Sequence, residues 1–416
     1  MPSIREKFFL YQKQISNFFY LSCLQFVNMI LPLITLPFLL HKLGLENYGK
    51  VVFSLAIAAY FTIFINFGFN VAITKEISIN RHKNKRISNI ISSTILIKLV
   101  LFLISFIILY IIEHLFFKTH DIIYYYALLI CLGELLFPLW YYQGVEKMKY
   151  ITLINSSIKI LFTILIFILI TKKEDYIYVP LLQGISGILG GIIGLLSIFT
   201  LHKIKISLPS LLYIKPILKK GVVFLITDTS AVIKDKTNII AIGTVIDMSA
   251  LAYYDLAEKI VWAFRSIFSN ITNAFFPFFA KEKNKNDVKT VIKISLYLSI
   301  FAYIVLIIFS GKIILLLSSP ELLPAQPLLY IMGLYVVIAT LSGNIGQSVL
   351  IVNSLYKEMI KNLLITTILY LIMLSILVYL KSDIILFSSI YIISVAFELT
   401  HRVFICKKYN LLNWIY

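Results

Sequence analysis

The feature that most constrains this chain is a succession of apolar stretches of bilayer length, such as 95–112, broken only by Lys98, and 160–170, which carries no charge. A membrane-spanning helix needs about 20 mostly apolar residues. Of the 416 residues 60% are hydrophobic and 14% charged, against roughly 25% charged in an ordinary soluble domain. A water-soluble globule cannot bury that much apolar surface. Cutting the chain at polar clusters and turn formers gives segments near 15–41, 48–73, 87–112, 121–143, 150–171 and 176–201. Six more follow near 217–245, 249–279, 291–317, 325–352, 359–380 and 384–406. The expected fold is an all-α membrane protein of about 12 transmembrane helices.

The net charge of +18 is explained by topology. Loops on one side, including Arg5, Lys7, Lys13, Lys83, Lys147, Lys203, Lys285, Lys357 and Arg402, hold 25 of the 38 cations; the opposite loops hold 6 and the spans 7. Short loops rich in Lys and Arg mark the cytoplasmic side, so both termini are expected inside. These basic loops suit anionic lipid headgroups and give no reason to expect nucleic acid. The connection from His202 to Lys220, with Pro209 and Pro216, divides the chain into six-helix lobes, 1–205 and 206–416. An even helix number per half implies repeats of the same orientation. The first apolar run is too long for a signal-peptide core and is expected to remain in the mature protein.

Seven cations fall inside the spans: Lys50, Lys98, Lys159, Lys234, Lys236, Lys259 and Arg265. Six carboxylates accompany them: Glu134, Asp228, Asp235, Asp255, Glu258 and Glu398. Each charge at a helix centre costs about 2.5–3.5 kcal/mol on insertion scales, so Asp228, Lys234, Asp235 and Lys236 together cost on the order of 10–14 kcal/mol. Such a helix is expected to face a bundle interior or a water-filled cavity. Asp255, Glu258, Trp262 and Arg265 form one polar stripe at helical spacing. Two readings stand side by side. The charges neutralise one another locally, as Asp255 with Lys259 at i, i+4, or they line a path. Lys98, Lys159, Lys234 and Arg265 are the cations expected to meet an anionic headgroup such as pyrophosphate. Lys98 and Lys159 have no acid within four residues; for them the bland reading is snorkelling or pairing with Glu134. In the first half three embedded lysines oppose one acid; in the second, four cations oppose five acids.

Pro32, Pro37 and Pro138 are expected bend or hinge points, because each removes a backbone donor. Gly184, Gly187, Gly190, Gly191 and Gly194 read first as a close-packing helix face. Trp140, Tyr141 and Tyr142, and Tyr124 to Tyr126, fit an interfacial aromatic belt, or a stacking surface for sugar rings. Cys23, Cys131 and Cys406 lack metal or disulfide spacing and are expected to pack. The six histidines are scattered, and no loop holds a catalytic constellation, so neither a metal site nor an enzyme is expected.

Several segments carry a family likeness: PLITLPFL (Pro32–Leu39), LGLENYG (Leu43–Gly49), NFGFNVAITKEIS (Asn66–Ser78), FPLWYYQGVEKMKYITLIN (Phe137–Asn155), and YYDLAEKI and FFPFFA within 252–280. In these the chain resembles the O-antigen and polysaccharide flippases of the multidrug/oligosaccharidyl-lipid/polysaccharide exporter superfamily. The resemblance implies a MATE-like exporter fold with two lobes around a central cavity. It also implies alternating access, with an undecaprenyl-diphosphate-linked oligosaccharide as cargo. It implies no cofactor but coupling to a proton or sodium gradient, for which Glu134, Asp255 and Glu258 are the first acids to test, beside Asp228 and Asp235. Membrane lipids, a polysaccharide polymerase and chain-length machinery are the expected partners. A drug or small-metabolite antiporter on the same scaffold is the alternative.

Overall fold

A computed structural model describes residues 4–117, 121–200, 204, 211–282, 285–318 and 320–411. Among these, every regular element is helical. The first, α1 (Ile4–Asn66), contains the first two expected spans, joined at Gly44, whose φ of 76° and ψ of 170° interrupt the helix. That backbone suits glycine because a Cβ would clash there. Pro32 and Pro37 lie inside the helical arm before Gly44, where the backbone stays helical. The sharp change of direction therefore falls at the glycine.

After α1, Phe67 (φ 47°) and Gly68 (φ 69°) turn the chain into α2 (Phe69–Asn80). Next come α3 (Asn84–Ile112), α4 (Ile123–Leu136) and the short α5 (Leu139–Gly144). The break between α4 and α5 is chemical in origin: proline disfavours the helical region for the residue before it, and Phe137 is extended (φ −77°, ψ 113°) ahead of Pro138. The remaining helices are α6 (Met148–Leu169), α7 (Tyr178–Thr200), α8 (Leu211–Val245), α9 (Met248–Glu282), α10 (Lys285–Leu317), α11 (Gln326–Asn344), α12 (Tyr356–Tyr379) and α13 (Ile384–Lys408). The arms of α1 count separately, α2 counts with the second arm as part of the stretch Phe19–Asn80, and α4–α5 count once, which gives twelve helices of transmembrane length among the described residues, in an all-α fold.

By length and composition nine described segments can cross a membrane, the 62-residue Phe19–Asn80 among them; α8 and α9 do not qualify. Both are 35 residues long, and both embed charges, Lys234, Asp235 and Lys236 in α8 and Asp255, Glu258, Lys259 and Arg265 in α9. Exposed apolar side chains such as Leu103, Ile107, Phe301, Ile304 and Ile308 give α3 and α10 lipid-compatible faces.

The chain divides into two compact units: Met1–Thr35 with Ser54–Val232, and Leu36–Phe53 with Ile233–Tyr416. In the first unit, α4 and α7 meet through the glycine face expected from the sequence. A methyl group at Gly133 would lie 2.7 Å from the Gly187 carbonyl carbon, and one at Gly184 would lie 2.6 Å from Leu129 Cβ. Only residues without side chains permit that approach. Trp140, Tyr141 and Tyr142 are buried, at 1%, 2% and 0% exposure, and the Tyr142 hydroxyl donates to the Gly194 carbonyl at 2.6 Å. They are core residues of this unit, which corrects both the belt and the sugar-stacking readings. In the second unit Phe279, Val288, Ile292, Ile345, Val349, Leu350 and Ile405 form a core cluster that includes Cys406. Cys131 and Cys406 are buried and all three cysteines are free thiols.

Candidate functional site: charges embedded in the helices

Helix α8 carries three consecutive charged residues, and each helical step rotates the side chain by about 100°. Lys234, Asp235 and Lys236 are therefore directed to three different neighbours. Lys234 Nζ sits 2.7 Å from Glu398 Oε2 on α13 and 3.3 Å from the Thr366 hydroxyl on α12. The other oxygen, Glu398 Oε1, faces Arg402 at 2.7 Å, one turn further along α13, and accepts from Ser342 at 3.1 Å on α11. Arg402 also donates to Asn362 Oδ1 at 3.0 Å and to the Ser342 carbonyl at 2.5 Å. The Asn362 amide returns a bond to the Glu398 carbonyl at 3.2 Å. Lys234, Glu398 and Arg402 are each less than 10% exposed. Charges this deep are tolerated when paired and fully hydrogen-bonded, and here four helices supply the partners.

Asp235 accepts from the Tyr391 hydroxyl at 2.8 Å, whose oxygen lies 3.1 Å from the Tyr335 hydroxyl and can accept from it. The Arg265 guanidinium lies over the Tyr335 ring, 4.9 Å from its centroid, a cation–π arrangement. Lys236 approaches Glu258 of α9 at 3.5 Å. One turn along α8 from Lys234, Asn238 donates to the Phe387 carbonyl at 2.8 Å and accepts from Tyr370 at 3.0 Å.

On α9, Asp255 pairs with Lys259 at 2.6 Å, as the i, i+4 spacing suggests. The Tyr48 hydroxyl completes the arrangement by donating to Asp255 while accepting from Lys259 at 2.6 Å. The LGLENYG segment supplies this tyrosine, and Gly49 beside it lies against the Met248 carbonyl. Trp262, expected on the same polar stripe, is 43% exposed.

In the first unit Lys98 is 1% exposed. Its ammonium donates to Asn66 Oδ1 at 2.8 Å and to the backbone carbonyl of Glu134 at 3.1 Å. That carbonyl is available for a definite reason. In a continuous helix it would accept from the N–H four residues on, and residue 138 is proline, which has none. The bend at Pro138 and the burial of Lys98 are thus one device. The Glu134 side chain is exposed, as is Lys159; Asp228 is half-buried. Among the described residues no ion pair forms at Lys159 or Asp228.

Lys98, Lys159, Glu134 and Asp228 thus fall in the first unit; Lys234, Arg265, Asp235, Asp255 and Glu258 fall in the second. Arg402 lies inside α13 and is 6% exposed, which corrects its assignment to a basic loop. With Arg402 counted and Asp228 in the first unit, the second unit embeds six cations, Lys50 among them, against four carboxylates. Tyr48, Asn66, Tyr335 and Tyr391 join these networks without having been expected there, and Arg402 joins them from a position expected in a loop. Arg402 stands four residues after Glu398, and that i, i+4 spacing was the available signal. The expected loop cations Lys118, Lys203, Lys205 and Lys283, and the linker residue Pro209, lie outside the described residues, as do the side chains of Arg5, Lys7 and Lys13.

The chain is 28% identical over 360 residues to a protein of Escherichia coli (strain K12) named "Putative O-antigen transporter", covering 84% of this chain and 86% of that one. Its fold is similar to that of the lipid II flippase MurJ in an inward closed conformation, with a TM-score of 0.73 at 18% identity over 93% of this chain and 87% of that chain. It is also similar to an inward-facing multidrug resistance MATE family transporter of the MOP superfamily, with a TM-score of 0.64 at 15% identity over 94% and 98%. Residues 15–283 match the model of the polysaccharide biosynthesis protein family, and the chain belongs to that family.

Proposed function

We propose that this protein is a flippase that moves lipid-linked polysaccharide precursors across a bacterial membrane, and more specifically undecaprenyl-diphosphate-linked O-antigen repeat units. The cargo passes from the cytoplasmic to the periplasmic leaflet of the inner membrane. The single observation that carries this reading is the pair α8 and α9. They belong to a transmembrane fold and are long enough to cross a bilayer, yet they embed Lys234, Asp235 and Lys236 in α8 and Asp255, Glu258, Lys259 and Arg265 in α9. Helices of that kind need a polar interior. A glycan needs the same thing, since its hydroxyls cannot cross hydrocarbon unaided while a polyprenyl tail can stay in lipid. The name carried by the Escherichia coli relative supports this cargo class.

In this reading the lobes 1–205 and 206–416 alternate access. Lys98, Lys159, Lys234 and Arg265 meet the diphosphate in turn as cationic donors. Both termini are cytoplasmic, as the distribution of Lys and Arg supports. An ion gradient drives the cycle, with Glu134, Asp228, Asp235, Asp255 and Glu258 as the acids that bind or release the ion or pair with nearby cations. A polysaccharide polymerase and its chain-length machinery receive the product.

The test is genetic and chemical together. Deleting the gene is expected to abolish surface polysaccharide while lipid-linked units accumulate on the cytoplasmic leaflet. Complementation with Lys98→Glu or Arg265→Glu is expected to fail, and with Lys83→Glu to succeed. Normal surface glycan in the deletion strain sinks the proposal, and drug sensitivity in its place favours the antiporter.

A further inference from the structure

A second feature lies away from the embedded charges, on the lysine-rich side of the first unit. A pocket of about 320 Å³ opens where the α2–α3 and α5–α6 turns converge. Its rim carries Arg81, His82 and Lys147, and its floor is made by Ile87, Tyr141 and Ile204. The floor is firm, since those three residues are 1%, 2% and 5% exposed. The rim residues are exposed, and the Lys147 ammonium lies 5.9 Å from the Tyr150 ring centroid. Glu146 is the acid nearest the rim in sequence. It stands 3.7 Å from one Arg81 nitrogen, too far for the two-bond fork that would engage the guanidinium fully. Both turns bring further cations: Lys83, Lys85 and Arg86 beside Arg81, and Lys149 beside Lys147.

We propose that this pocket binds a phosphate-type anion, either the headgroup of a membrane lipid or a free phosphate species. The rim supplies an arginine fork, an ammonium and an imidazole above an apolar floor, the donor set that phosphate oxygens prefer. The backbone acts in the same direction. Helices α3 and α6 start at the pocket, with Lys83 and Lys147 in the N-cap positions, no side-chain cap and no acid in the first turn. A cation at a helix N-terminus opposes the dipole, whereas a bound anion complements it. The arrangement is thus unfavourable when empty and relieved when occupied. The volume exceeds what a bare phosphate needs, and the buried floor favours an anion with an apolar neighbour, as in a phospholipid.

The inference rests on the membrane fold and not on the identity of the cargo. Its test is therefore binding, measured apart from transport. Full-length protein in detergent is examined by native mass spectrometry with phosphatidylglycerol, with phosphatidylcholine, and with inorganic pyrophosphate as a competitor. The comparison is between the wild type, the triple variant Arg81→Gln/His82→Gln/Lys147→Gln, and a same-side control, Lys293→Gln/Lys357→Gln/Lys408→Gln. The wild type and the control are expected to retain phosphatidylglycerol at least tenfold more tightly than phosphatidylcholine, and the triple variant is expected to lose that preference. Displacement by pyrophosphate identifies a phosphate site that also takes the free ion; lack of displacement assigns it to the lipid headgroup. The melting temperature of the lipid-free triple variant is expected to match or exceed that of the wild type, which excludes misfolding as the cause. Equal loss of lipid in the control and triple variants overturns the pocket in favour of a diffuse surface field. Undiminished binding in the triple variant overturns it outright.

Discussion

Replacing Glu398 with Gln tests the interior of the second unit most directly. Its carboxylate lies 2.7 Å from both Lys234 and Arg402, and the three side chains are 11%, 8% and 7% exposed. The glutamine fills the same space and keeps an acceptor for Ser342, but it leaves two buried cations facing each other with no counter-charge. Breaking a buried pair in this way typically costs about 3–5 kcal/mol. Lys234→Met is expected to cost less, because it leaves the neutral Glu398–Arg402 pair intact. The double variant should recover part of the Glu398→Gln loss, with a coupling on the order of 1–3 kcal/mol. Equilibrium unfolding of purified protein in mixed micelles, followed by tryptophan fluorescence, measures all three. A loss below about 1 kcal/mol for Glu398→Gln, or additive single effects, would refute the claim that this carboxylate holds the two cations in place.

Three further perturbations address other parts of the molecule. Pro138→Ala restores a donor four residues after Glu134, so the helix is expected to reclaim the carbonyl that Lys98 now uses. Slower amide exchange across 137–142 and export loss no worse in Pro138→Ala/Lys98→Met than in Lys98→Met alone would show one shared device; additive losses would separate them. Tyr48→Phe removes the hydroxyl between Asp255 and Lys259 and is expected to cost about 1–3 kcal/mol in the same unfolding assay, whereas a neutral result denies it a structural role. Gly133→Leu is expected to force α4 and α7 apart and to abolish stable expression. Gly343→Ala is its matched control, since an added methyl there meets nothing within 4 Å, and similar expression of the two variants would contradict the packing account.

The membrane class, the helix number and the glycine face of α7 are properties of composition and periodicity, and the sequence alone determined them. Apolar runs of bilayer length leave few alternatives to helices, and a 3.6-residue period marks which side is small. The i, i+4 pair Asp255–Lys259 was equally legible, since the helix itself sets that distance. Whether an embedded charge is paired or left over was decided by tertiary structure. Lys234 finds Glu398 across 164 positions of sequence, and Lys98 finds a carbonyl freed by a proline 40 residues away. Partners on different helices depend on crossing geometry and on rotation about each axis, which no local pattern encodes. For the same reason Arg402 read as part of a basic loop until α13 carried it inside. The aromatic run Trp140–Tyr142 read as interfacial until the break at Pro138 turned it into the core.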